Sequence, residues 1–235
     1  NGNILLEEKL DSLSYKLIKN NDNFSFNSKI NIKNNSLLLE FLDYKKKEGV
    51  SSLVLLNGTF QKDNRLKLDL VSLKEKDNQI LIKGLDLNKN LKIEDIKDFK
   101  INYKNNRKIF NKINLQKDGT NYILVGESFD ASRIINNIMN SDNKESSIFA
   151  SLNSKFDIKI NKTYIDEDTY MNNLNGYIDF KNNKINDLKL ESFFSNEKKI
   201  YLSINTNNKS ETTTKLFSSY PKPLVKRYDF IKGFE

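Results

Sequence analysis

The sequence predicts an all-β, mainly antiparallel fold: a long curved meandering sheet forming an open groove or elongated half-barrel, with one or two short helices. Three observations predict it. Apolar and polar residues alternate in stretch after stretch, which is the period of a strand buried on one face. Between the stretches lie KDN, KNN, KDG and KNNK clusters, whose Asn, Asp and Gly tolerate the positive φ of tight turns. The composition, 37% apolar against 30% charged with only 8 Gly and 2 Pro, suits sheets that are wet on one side.

In chain order, FSFNSKINI sets Phe24, Phe26, Ile30 and Ile32 on one face and Asn27, Lys29 and Asn31 on the other. Ser36–Lys47 (SLLLEFLDYKKK) lacks a clean helical stripe and reads as strand, although Ser36 is a possible helix cap. RLKLDL aligns Leu66, Leu68 and Leu70, and further pairs follow at Ile80 and Ile82 and at Phe99, Ile101 and Tyr103. YILVGESFDASRIINNIM changes period halfway. Tyr122, Leu124 and Gly126 alternate, and then Ile134, Ile135, Ile138 and Met139 recur at helix spacing behind Asp130 in the N-cap position, so a short helix is expected at about 130–140. Strand patterns resume with Phe156, Ile158 and Ile160, then Ile178 and Phe180, Leu188 and Leu190, and Ile200, Leu202 and Ile204. Pro221 and Pro223 open a second short helix, expected from Pro223 to Tyr228. The short links imply that neighbours in sequence are neighbours in the sheet throughout, a long meander.

The chain has neither Cys nor His. That removes thiol nucleophiles, disulfides, Cys/His zinc sites and every His-dependent triad. The excess of 39 Lys+Arg over 31 Asp+Glu gives +8, but the charge is nearly all scattered Lys beside abundant Asn and Ile, a composition bias rather than a nucleic-acid stripe. No nucleic-acid partner is expected. No apolar run approaches the roughly 18 residues of a membrane span. The chain opens on Asn1 and stops at Glu235, and it reads as an excised piece that leaves room for anchors and export signals outside it.

Candidate chemistry is sparse. Asp166, Glu167 and Asp168 read as a solvated loop, since no Gly follows at calcium-loop spacing. Ser128 in GES lacks the G-x-S-x-G elbow, and Asp130 reads as a cap rather than a catalyst. No catalytic residue, metal site or cofactor is expected, and the chain is expected not to be an enzyme. A carbohydrate-active alternative would need Asp166 or Asp168 paired with Glu191 about 5 to 10 Å away. What remains is a wide apolar face requiring a cover: a second sheet, the same sheet curling on itself, or a hydrophobic ligand.

YILVGESFDASRII resembles a segment of the AsmA-like C-terminal region of bacterial envelope proteins (the AsmA/YhdP-type group), through Gly126, Phe129, Asp130, Ala131, Ile134 and Ile135. FASLNSKFDIKINKTYI, MNNLNGYIDFKNNKINDLKLESFF and KIYLSINTNN are similar to the strands that follow there, in the same order, and PLVKRYDFIKGF to its closing segment. SSYPKP at 218–223 departs from the pattern. The resemblance divides the chain into 1–119, a β-meander segment of a larger groove, and 120–235, the AsmA-like segment with its short helix.

The resemblance implies a periplasmic location, tethering to the inner membrane through parts outside this segment, and phospholipid acyl chains as partner, with other envelope proteins besides. The alternating residues from Phe24 to Ile204 named above would line the groove, with Asp130 capping the helix whose Ile134, Ile135, Ile138 and Met139 would plug it. Around a dozen strands at about 4.8 Å stack to nearly 60 Å. At about 0.8 kcal/mol per methylene, a 16-carbon chain laid along them would gain on the order of 10 kcal/mol without any specific polar contact. The competing expectation is a structural β-sandwich or scaffold segment that binds protein partners and no lipid.

Overall fold

In the computed structural model, which describes residues 2–6, 9–133, 135, 149–166, 168–194, 196–207 and 211–228, nearly every element is a strand. Three strands open the chain, β1 (Gly2–Leu6), β2 (Lys9–Asn20) and β3 (Asn23–Ile32). A small hairpin follows, β4 (Leu37–Leu39) and β5 (Tyr44–Lys46) around a single 3-10 turn at Glu40–Leu42. Then come β6 (Ser52–Phe60), β7 (Leu66–Glu75), β8 (Asn78–Leu87), β9 (Ile93–Lys104), β10 (Phe110–Asp118) and β11 (Asn121–Asp130). The last set is β12 (Lys155–Tyr164), β13 (Tyr170–Lys181), β14 (Lys184–Phe194), β15 (Lys199–Thr206) and β16 (Thr212–Ser218), before a helix at Lys222–Tyr228. All but β4 and β5 form one 14-stranded sheet in sequence order, which does not close into a barrel.

Tight turns explain why neighbours pair. Asn21, Asn64, Asn182 and Asn183 all take positive φ between strands, the conformation Asn tolerates best after Gly. Register shifts at Asn57/Gly58, Lys112/Ile113 and Asn172/Asn175 bend the sheet as bulges do. Gly176 lies beside the last of these with φ 142°, and a Cβ there would stand 1.8 Å from the Lys189 carbonyl oxygen. No other residue fits.

Two expectations need correction. The meander breaks once: β11 and β12 pair in parallel, Tyr122 opposite Phe156 and Gly126 opposite Ile160. Parallel neighbours need a crossover of a dozen or more residues, and 131–154 supplies it. The expected helix begins inside this crossover, and Ser132, Arg133 and Ile135 are helical, with the Ile135 N–H donating to the Ala131 carbonyl at 2.9 Å. The stripe residues Ile134, Ile138 and Met139 lie outside the described residues.

Ser36–Lys47, expected as strand, is instead the separate hairpin. Asp43 turns the chain at φ 51°, and the strand on each side of the turn has only three residues. The second helix starts at Lys222, one residue before the expected Pro223.

The core forms three clusters on one face of the sheet. The hairpin places Leu42 and Tyr44 on Leu73, Ile80, Ile101, Tyr103, Ile113 and Ile160. A second cluster gathers around Leu85, Ile96 and Tyr122. In the third, Leu224 of the C-terminal helix packs with Ile165, Phe194 and Ile200, and Ile135 of the crossover joins it.

Candidate apolar trough

The cross-strand register assembles the trough row by row. Leu56 pairs with Val71, Val71 with Ile82, Ile82 with Phe99, Phe99 with Leu115, and Leu115 with Leu124. The same row continues through Ile158, Gly176, Leu190 and Leu202 to Leu216 on the last strand. Its neighbour runs from Leu13 through Ile30, Val54, Leu73, Ile80 and Ile101 to Ile113. Side chains alternate faces along a strand, so these rows share one side. That side is apolar across the sheet.

Most residues expected to line the groove fall on it. Phe24 lies opposite Phe60, Phe26 between Leu17 and Gly58, and Ile32 opposite Ser52. Leu66 and Leu68 face Leu87 and Leu85. Phe156, Ile178, Leu188 and Ile204 make a further row, and Phe180 sits edge-on to Phe156, which stacks on Tyr122 at 4.7 Å. Ile160 joins the row at Gly126, and Ile200 pairs with Ser192 and Ser218.

Leu70 is the exception. It lies between Asn57 and Lys83 on the hydrated side, because β7 bulges at Asp69 and hands the apolar face to Val71 and Leu73. The Leu70-Val71 doublet was the signal in the sequence, since strict alternation fails there.

Burial divides the trough. Ile32, Ile80, Ile160, Leu188 and Ile200 are buried, Phe24 is exposed, and the other expected lining residues on this face are half-buried. The hairpin covers the stretch around Ile101 and Ile160. Beneath the C-terminal helix an apolar cavity of about 280 Å³ remains, lined by Met171, Leu174, Leu190, Ile200, Leu202 and Leu216 among others. The Ser192 hydroxyl at its wall is satisfied by the Asn172 carbonyl at 2.7 Å.

Polar groups secure the covers. The Tyr103 hydroxyl donates to the Leu42 carbonyl, and the Tyr44 hydroxyl donates to Glu75 Oε2 at 2.5 Å. Burial pushes both phenols above their ordinary range, and the Glu75 carboxylate adds to this at Tyr44. Burial likewise moves the Tyr122 phenol up to about 12, helped by Asp95. The Lys46 ammonium is fully buried and donates to the carbonyls of Lys33 at 3.1 Å and of Asn35. Burial lowers its pKa, and Asp11, Glu75 and Glu48 oppose that shift.

Asp130 does cap the crossover. Its Oδ1 accepts the Ser132 N–H at 3.1 Å, while Oδ2 accepts from Asn105 at 2.6 Å and from Arg107.

The other candidate carboxylates are accounted for locally. Asp166 Oδ1 accepts the N–H groups of Asp168 and Thr169 at 2.8 and 2.6 Å, an Asx turn, and Glu191 pairs with Lys199 at 3.1 Å. Glu167 lies outside the described residues. Among the described residues no group of three or more acidic side chains is placed to hold a metal. Comparison with protein families, with curated proteins and with solved structures finds no match to this chain.

Proposed function

We propose that this chain is a segment of an AsmA-like envelope protein, located in the periplasm and tethered to the inner membrane, that conducts phospholipid between inner and outer membrane by holding acyl chains in the apolar trough. The observation that carries the reading is the apolar row from Leu56 to Leu216, which stays half-exposed along most of its length. Half-exposed apolar surface of this extent favours a guest, since each methylene removed from water contributes about 0.8 kcal/mol. Such holding needs shape and no reacting group. Lys and Asn on the reverse face keep the sheet hydrated.

The test is native mass spectrometry of the purified chain for co-purifying phospholipid, followed by photo-crosslinking. Ile158→Asp and Phe156→Asp are expected to lose the lipid crosslink while circular dichroism keeps the sheet signature. Equal crosslinking in wild type and both variants would count against an apolar trough. The sealing of Ile101 and Ile160 beneath the hairpin favours a second reading, a structural scaffold with protein partners and no lipid. Purification free of lipid, with crosslinks to protein alone, would select it.

A further inference from the structure

The hydrated face carries a hollow that the trough does not use. Across β9 to β12, Lys100 pairs with Asn114, Asn114 with Val125, and Val125 with Lys159. The order is long, short, short, long, so two lysines stand on either side of two short side chains. In the adjacent row Asn102 pairs with Lys112, whose ammonium reaches Glu127 at 2.5 Å beside the register shift. The hollow is open to solvent and measures about 480 Å³, within the roughly 300–1,000 Å³ of small-molecule sites.

We propose that this hollow binds a hydroxylated phosphate monoester of the sugar-phosphate class. Three features select that chemistry. Lys159 makes no ion pair among the described residues, whereas Lys100 pairs with Asp98 at 3.2 Å and Lys112 with Glu127, so one positive charge remains uncompensated. A phosphate group against the Lys159 ammonium supplies its missing partner, with Lys100 on the far side of the hollow adding a second donor shared with Asp98. Asn114 Oδ1 is buried and accepts no hydrogen bond. A buried acceptor left without a donor is costly, and a hydroxyl of a ligand ring lying on the floor of the hollow can supply that donor. Val125 and the lysine methylenes form an apolar floor against which the C–H face of a sugar ring can lie. The site lies on the side opposite the trough and is independent of what occupies it.

The experiment titrates the chain with glucose 6-phosphate, glucose and inorganic phosphate in parallel, following backbone amide shifts at Asn114 and Val125. Glucose 6-phosphate is expected to saturate in the millimolar range, at least about tenfold tighter than either component alone. Lys159→Gln, at an exposed position, is expected to weaken it at least about fivefold. Asn114→Ala is expected to weaken glucose 6-phosphate binding at least about threefold. No saturable shift, equal affinity for inorganic phosphate, or wild-type affinity in Lys159→Gln would each overturn the proposal.

Discussion

Arg133 Nη2 donates to Asp43 Oδ1 at 2.6 Å, joining the first helical turn of the crossover to the turn of the hairpin 90 positions earlier in the chain. The same guanidinium donates to the Glu40 carbonyl at 2.7 Å, and Asn106 donates to the same Asp43 oxygen at 3.2 Å. Two covering elements with no sequence proximity are thus fastened to each other.

Removing the Arg133 side chain should free the hairpin before it harms the sheet. Its guanidinium is about half exposed, so the loss is small: Arg133→Ala is expected to cost about 1 kcal/mol. Asp43→Ala should cost roughly 2 kcal/mol, since the Arg133 guanidinium and the Asn106 amide both lose their acceptor. Urea denaturation measures both. Amide exchange should quicken at Leu37–Lys46 and stay slow in β8 and β9, and uniform quickening would argue that the hairpin is not a separate cover.

At Gly176 any side chain collides with backbone, and the residue's positive φ adds strain. Gly176→Val is expected to destabilise by roughly 3 kcal/mol or more, read as a lower urea midpoint with an unchanged slope. A wild-type midpoint would mean that the β13 bulge relaxes freely.

Leu91 illustrates the opposite case. It is exposed at 68% and sits at φ 58° in the turn before β9, a conformation that a leucine adopts at a cost. Leu91→Asn is expected to raise stability by about 0.5–1 kcal/mol and shift the thermal midpoint upward.

Asp11 sets an acid limit. Burial pushes its pKa up, and the N–H groups of Lys33, Asn34 and Asn35 with the Asn35 amide outweigh this and pull it down to about 2. A carboxyl whose folded pKa lies below its unfolded value stabilises above the unfolded pKa, and that stability is lost as pH falls through the folded one. From 3.8 to about 2 the difference amounts to about 2 kcal/mol, present at neutral pH and lost between about pH 4 and pH 2. Asp11→Asn should be less stable at pH 7 and should flatten the pH dependence in that window. An identical acid transition in the variant would refute this role.

Much of the fold is legible in the chain because strand alternation and Asn-rich turns are local. Phe24 to Ile32 and Ile200 to Ile204 fall on the expected face, and Asp130 caps where its position after a strand predicts. Leu70 misleads because one extra residue at Asp69 reverses every side chain beyond it; the Leu70-Val71 doublet marks the slip, and the cross-strand register places it. The parallel pairing of β11 with β12 and the docking of Tyr44 on Tyr103 at 5.4 Å are choices between distant segments. Periodicity within either segment carries no trace of them.

The single parallel step also decides where the covers are. In an uninterrupted meander each strand reverses direction, so the two long rims of the sheet receive chain reversals by turns. Had β12 run against β11, β16 would end at the rim that carries the turns at Asn21 and Asn64. Because β12 repeats the direction of β11, parity flips, and the C-terminal helix emerges on the same rim as the hairpin and Ser132. One border of the sheet is therefore roofed and the opposite one is edged by tight turns and the returning segment at 149–154, which leaves the molecule lopsided from side to side as well as from face to face.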